Sequence, residues 1–310
     1  MHHAPLALAS GLGGVFPSAA VRAEMMAMYD AKLASWPVAY EEADVPTRYG
    51  TSHVVVAGRA DAPPVILVHM AASSSFIWAP LIAELAKHRR AYAIDIIVDV
   101  NKSVLANPDH YPRSGEALAG WLSEVADALR LSKTDVIAGS YGGWLAAHYA
   151  LRDPKRVRRL VLIVPMGLPS WTQTLRVLAR LATIQIGLSR SKSERTLSYL
   201  LGNDPAARAL GGDWFSRLFE AKCRMRAASP RPLTTRQFEG ISAPTLIVLG
   251  ARDPLVGNPK RAARRATRHM PNVEIEIVTN GTHAVHVEAP ERVAARALEF
   301  LSRPGESNRA

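Results

Sequence analysis

Thr134-Asp135-Val136-Ile137-Ala138-Gly139-Ser140-Tyr141-Gly142-Gly143-Trp144 decides how the rest of the chain is read. Val136 to Ala138 is a short apolar run that reads as a fully buried strand. It stops at small residues flanking one serine. Trp144, Leu145, Ala147, His148 and Leu151 then recur at helical spacing, and Asp153-Pro154 closes the helix. A strand, a sharp turn with serine at its apex and a helix make the geometry of a nucleophile elbow. Small residues are required two before and two after the serine, because the strand and helix backbones nearly touch there. Ala138 and Gly142 occupy those positions, so the usual G-x-S-x-G becomes A-G-S-Y-G. The plainer alternative is a Gly-Ser-rich turn whose serine only hydrogen-bonds locally.

Outward from this stretch, buried strands alternate with helices. Toward the N-terminus the pattern predicts a helix over 18–35 and a pair of strands within Thr47 to Gly58, turning near Gly50. A strand over Val65 to Val68 runs into the loop His69-Met70-Ala71-Ala72-Ser73-Ser74-Ser75. Next come a helix through Leu81 and Leu85, a strand from Ala91 to Val98, a loop over 101–113, and a helix from Ser114 to Arg130. Its stripe is Leu118, Trp121, Leu122, Val125 and Leu129. Toward the C-terminus, Val157 to Val164 is another apolar strand. Residues 166–240 carry no strand signal and read as amphipathic helices. Alternation resumes with strands over Thr245 to Leu249 and Val273 to Val278, a helix near 258–269 and a last helix from Pro290 to Ser302. Such alternation predicts an α/β fold with a mainly parallel sheet covered on both faces. The predicted organisation is an N-terminal helical extension (1–40), a core (41–165 and 241–302), a helical cap (166–240) and a disordered tail (303–310).

The 310 residues are enough for a large core, and 48% hydrophobic with 21% charged residues is an ordinary globular balance. No apolar run approaches the roughly 18 residues of a membrane span. The single cysteine, Cys223, excludes an internal disulfide and a cysteine metal cluster, which suits a reducing compartment. Residues 5–20 are small and apolar but lack the basic start and leucine core of a signal peptide, so a cytoplasmic location is expected. The net charge is +11. Its basic clusters, Arg156, Arg158 and Arg159, and Lys260, Arg261, Arg264, Arg265 and Arg268, lack interleaved aromatics. The second set falls at helical spacing and reads as a solvated face rather than a nucleic-acid platform.

A serine hydroxyl needs a base, and the base needs a carboxylate to fix its tautomer. In an open parallel sheet these groups lie on loops beyond the carboxyl ends of strands. Gly250-Ala251-Arg252-Asp253-Pro254 follows one strand and Asn280-Gly281-Thr282-His283-Ala284-Val285-His286 the next. The order is Ser140, Asp253, His283. Alternatives stand beside each: His286 or His69 as base, Asp95 or Asp99 as acid, and a His-x-x-His metal pair that lacks a third ligand.

With these residues in place, roughly 45–302 resembles the α/β-hydrolase superfamily, most of all its capped bacterial carboxylesterase-like members. The elbow, His69 with its small-residue loop, Gly-x-x-Asp at 250–253, Gly-x-His at 281–283 and His-x4-Glu-x-Pro at 283–290 carry the likeness. Tyr92 to Ile97 and Asp153 to Val157 add to it. The resemblance implies an eight-stranded sheet with an inserted cap, and a serine hydrolase, most of all a carboxylesterase, with Ser140 as nucleophile, His283 as base and Asp253 as acid. Backbone N–H groups of Tyr141 and Ala71 would hold the oxyanion, although Met70 stands where the family has glycine. His69 would shape the oxyanion loop. No cofactor or metal is implied, and the partner would be a small ester with an apolar acyl or aromatic group. Cleavage of C–C bonds or amides, perhydrolysis, or a low-turnover receptor would use the same residues; a haloalkane dehalogenase would need a carboxylate at position 140. The oligomeric state has no signature here.

Overall fold

The computed structural model describes residues 14–168, 171–173, 175–177, 179, 198–199, 202–226 and 228–303. Residues 1–13 and 304–310 lie outside the described residues, as do Leu178 and Leu181, two apolar residues of the interval expected to form the cap.

The sheet carries β1 (Tyr40–Thr47), β2 (Gly50–Ala57), β3 (Pro64–Val68), β4 (Arg90–Ile94), β5 (Val104–Leu105), β6 (Thr134–Gly139), β7 (Val157–Ile163), β8 (Thr245–Gly250) and β9 (Val273–Val278). The order is β1-β2-β4-β3-β6-β7-β8-β9, and β5 pairs with β2 off this path. The expected eight strands therefore gain a two-residue ninth. Pairing is antiparallel where β2 meets β1, β4 and β5. It is parallel from β4 to β9.

Two boundaries differ from the sequence reading. The first strand begins at Tyr40, not Thr47. It lies at the sheet edge with Glu41 and Glu42 exposed and only Val45 buried, so it shows no apolar run. The strand expected over Ala91 to Val98 ends at Ile94. Beyond it the chain turns, and Asp95 and Asp99 accept hydrogen bonds from neighbouring loops.

The buried runs follow from the layering. On one face Val136 and Ala138 join a cluster with Ile66, Val68, Leu118 and Trp121. On the other, Ile137 joins Val65, Leu67, Val161 and Phe300. Both faces of β6 are covered, so the strand has no polar alternation. Helix α1 (Ala19–Leu33), α2 (Ala79–His88), α3 (Gly115–Ala128) and α4 (Ser140–Arg152) precede the long connection between β7 and β8. Ser114 caps α3 by accepting from the Ala117 N–H at 3.1 Å.

Within the β7–β8 connection, α5 (Pro205–Glu220) and α6 (Thr235–Gly240) are described. Helix α5 buries Trp214, Phe215 and Leu218 against the same cluster as α1. Lys32 of α1 reaches Asp213 at 2.6 Å, and Arg217 reaches Glu24 of α1 at 2.5 Å. Helices α7 (Pro259–His269), α8 (Val285–Glu288) and α9 (Pro290–Ser302) complete the chain. In α7 the basic residues surround the buried Ala262 and Ala266, in keeping with a solvated face, save Arg265. Its guanidinium donates to the carbonyls of Leu168 and Leu233 and lies 4.8 Å over the Phe238 ring. Among the described residues no helix is long and apolar enough to cross a membrane.

Candidate active site

Strand β6 ends at Gly139 and α4 starts at Ser140, whose φ is 47°. A left-handed backbone is rare outside glycine, and it aims the serine hydroxyl away from both elements. The close approach behind it is enforced by Gly142: a Cβ there would collide with the carbonyl oxygens of His69 and Val68. Ala138, in place of the usual glycine, lies fully buried opposite Val68 and Leu162, where a methyl packs without conflict.

Two loops converge on this serine. Gly250 ends β8, and a Cβ there would strike the backbone of Gly281 and Thr282, so glycine lets the loops after β8 and β9 touch. The Arg252 N–H donates to the Gly281 carbonyl at 2.9 Å. Glu288 fixes the second loop by accepting from the Thr282 N–H at 2.6 Å and its hydroxyl at 2.5 Å. This is the work of the glutamate in His-x4-Glu-x-Pro, which the sequence showed only as a pattern.

The convergence brings Ser140, His283 and Asp253 together. Nε2 of His283 is 2.8 Å from Oγ of Ser140, and Nδ1 is 2.8 Å from Oδ2 of Asp253. Oδ1 of Asp253 accepts from the N–H groups of Leu255 at 2.8 Å and Val256 at 3.3 Å. An ionised carboxylate has no proton to donate, so Nδ1 of His283 carries the proton and Nε2 presents its lone pair to the serine hydroxyl. Asp253 is 1% exposed, Ser140 4% and His283 9%, so only the serine–histidine end opens toward a substrate. Beside His283 lies a small apolar pocket walled by Val164, Met166, Val177, Pro230, Leu255 and Val256.

The rival residues are elsewhere. His286 is buried beside Trp78, with ring centroids 6.2 Å apart, and neither ring nitrogen has a hydrogen-bond partner among the described residues. Burial, with His283 nearby, depresses its pKa to about 3. His69 is buried and held neutral by desolvation. Its Nδ1–H donates to the Met70 carbonyl at 2.7 Å, and its Nε2 accepts from the Ile96 N–H at 2.9 Å. Asp95 accepts from the N–H and hydroxyl of Ser75 at 2.8 and 2.7 Å. Asp99 accepts from the N–H groups of Ala72 at 2.8 Å and Val100 at 2.7 Å, and burial pushes its carboxyl up to about 8. No group of three or more metal-ligating side chains occurs among the described residues.

Tyr141 is the second residue of α4, so its N–H is one of the four without an acceptor inside the helix. Its hydroxyl donates to the Ala228 carbonyl at 3.1 Å, anchoring the elbow under the β7–β8 connection. Met70 is 7% exposed and lies against Gly139: a Cβ at 139 would be 2.7 Å from the Met70 sulfur. The extra side chain in the loop is thus matched by its absence in the elbow. Sequence reading missed this pair, and it read Trp214 only as an apolar residue of the cap, missing that its Nε1–H donates to the Ala72 carbonyl at 3.0 Å. For Asp99 there was a signal, a carboxylate inside the apolar run Ile96-Ile97-Val98-Asp99-Val100; for Trp214 there was none.

An elbow serine at the end of parallel strand β6, with an aspartate and a histidine on the loops after β8 and β9, defines a class. A model of the alpha/beta hydrolase family matches residues 65–296, and the chain belongs to that family. Among its relatives, a Bacillus subtilis (strain 168) protein named uncharacterized carboxylesterase nap is 29% identical over 287 residues, covering 88% of this chain and 91% of its own. Carboxylesterase YbfK of the same strain is 31% identical over 281 residues, covering 88% and 92%. The crystal structure of carboxylesterase CesB (YbfK) from Bacillus subtilis superposes with a TM-score of 0.83 at 28% identity, covering 91% of this chain and 99% of that one.

Proposed function

We propose that this protein is a carboxylesterase in which Ser140, His283 and Asp253 form a catalytic triad. The observation that carries the reading is the unbroken hydrogen-bonded line from the Ser140 hydroxyl through His283 to the buried Asp253 carboxylate. Ser140 attacks the ester carbonyl while Nε2 of His283 takes its proton. Asp253 keeps the imidazole in the required tautomer and stabilises the imidazolium. The N–H groups of Tyr141 and Ala71 stabilise the oxyanion of the tetrahedral intermediate. His283 then returns the proton to the leaving alcohol. Water, activated by the same histidine, attacks the acyl-serine and releases the acid. Every step runs on side chains, backbone and water.

The apolar lining beside His283 supports an acyl or aromatic group without charge as the part of the ester bound there. Met166, Val177 and Pro230, from the interval 166–240, wall this pocket, which supports a capping role for the described part of that interval. The free, buried Cys223 supports action in the reducing cytoplasm.

The test is covalent labelling with a fluorophosphonate, alongside turnover of p-nitrophenyl esters of graded chain length. Labelling should map to Ser140 and vanish in Ser140→Ala, with short and medium acyl esters turned over by the unmodified protein only. Ser73, Ser74 and Ser75 are each no more than 1% exposed and should stay unlabelled. Persistent labelling and turnover in Ser140→Ala would remove the serine from its role.

A further inference from the structure

The loop that would carry the second oxyanion donor is fixed peptide by peptide. The Met70 carbonyl accepts from His69, which orients the peptide whose other end is the Ala71 N–H. The next peptide is held at the Ala72 N–H by an oxygen of the buried Asp99 carboxyl. The one after is held at the Ala72 carbonyl by the indole N–H of Trp214. Ala72 needs these holds, since its φ is 58°, a left-handed conformation that a side chain disfavours. Two of the clamps come from the core. The third comes from α5, in the inserted stretch and 142 residues away in sequence.

Trp214 is itself held from the other side. It is fully buried, and its ring meets Phe76 edge-on at 5.0 Å. The neighbouring Asp213 accepts from Lys32 of α1, which also donates to the Leu210 carbonyl at 2.9 Å. The brace therefore runs from the N-terminal helix, through α5, to the backbone beside the nucleophile.

We infer that Trp214 is a positioning residue for the oxyanion loop, coupling the seating of α5 to the placement of the Ala71 N–H. A buried indole commonly finds some acceptor, so the bond alone would be packing. Here its acceptor is the strained residue next to the proposed donor; Asp99 also engages the Ser73 N–H at the other end of this peptide, and the indole is the hold found on its carbonyl among the described residues. Loosening it leaves ester binding intact and weakens stabilisation of the tetrahedral oxyanion, which lowers kcat with little change in KM.

This inference rests on the triad reading, and the experiment separates the two. Trp214→Phe keeps a ring against Phe76 and removes the N–H, at the cost of some buried ring volume. Should that variant fold poorly, replacing Trp214 with benzothienylalanine exchanges the N–H for sulfur in an almost unchanged ring. With p-nitrophenyl butyrate, kcat should fall by about 10- to 100-fold, below the ~10²–10³ of a deleted oxyanion donor. KM should stay within about twofold, while a trifluoromethyl ketone inhibitor weakens by the same factor as kcat. Trp121→Phe serves as the control: it removes a buried indole N–H on α3 that donates to the Ser52 hydroxyl at 2.8 Å, so it should lower Tm and leave kcat within about twofold. Unchanged kcat in the variants at Trp214, or equal kcat losses in them and in Trp121→Phe, would overturn the positioning role. Full turnover in Ser140→Ala would instead overturn the triad reading beneath it.

Discussion

Asp253→Asn tests the tautomer argument at a single atom. Among the described residues, Oδ1 of Asp253 accepts from two backbone N–H groups, those of Leu255 and Val256, whereas Oδ2 faces only the Nδ1–H of His283. An asparagine has one oxygen to place. Turning its NH2 toward Leu255 and Val256 would oppose donors to donors twice, so the oxygen stays there and the NH2 faces Nδ1. Nδ1 must then accept, the ring proton moves to Nε2, and the serine hydroxyl loses its base. The expected loss in kcat is about 10⁴-fold, or about 5.4 kcal/mol of transition-state stabilisation. Because both backbone bonds to Oδ1 survive, Tm should change by no more than about 3 °C. The assay is kcat on p-nitrophenyl butyrate at saturating substrate, with thermal melts by circular dichroism on the same samples. Turnover within tenfold of the parent would refute the reasoning. So would a large drop in Tm with kcat preserved, because the amide would then have turned the other way.

Two other expectations follow from the same geometry. Gly142→Ala drives a Cβ onto two backbone oxygens and should destabilise the fold by more than ~3 kcal/mol, read by urea melts, whereas Gly139→Ala meets only the flexible end of Met70 and should be relieved by a second Met70→Ala change. His286 titrates at about 3 in the fold but near its ordinary value of 6.5 when unfolded, so the unfolded chain binds the extra proton between those values and stability is lost as pH falls through that window. His286→Leu should therefore show a smaller fall in Tm between pH 7.5 and about pH 5 than the parent, the remaining slope coming from groups such as His69; an equal fall would show that His286 is not the source.

Much of this architecture was readable because burial on both faces of a strand removes polar alternation. Val65 to Val68, Val136 to Ala138 and Thr245 to Leu249 announce themselves in that way. Where burial is one-sided or the element is short, the signal fails. Glu41, Glu42 and Asp44 hide the edge strand β1, and Val104–Leu105 is too brief for any period. The three proposed triad residues were legible because each lies within a few residues of a strand's end and stands near small residues that permit close approach. The supports were not. Trp214 reaches Ala72, and Met70 fills the space above Gly139, through contacts set by how separate segments pack. No local pattern encodes such a meeting.

The parallel ladder running β6-β7-β8-β9 has a consequence for assembly. Gly139 pairs with Ile163, Ile163 with Val248, and Val248 with Glu276, while β8 and β9 run two residues further, to the pair Gly250 and Val278; the three loops therefore leave close to one baseline drawn across four strands. A slip of one residue anywhere along it would carry a loop about 3.3 Å along the strand axis and turn its side chains to the opposite face. Helical content and compactness would survive such an error almost untouched. Ester turnover would not, and so it reports on long-range strand register that spectroscopic measures of folding pass over.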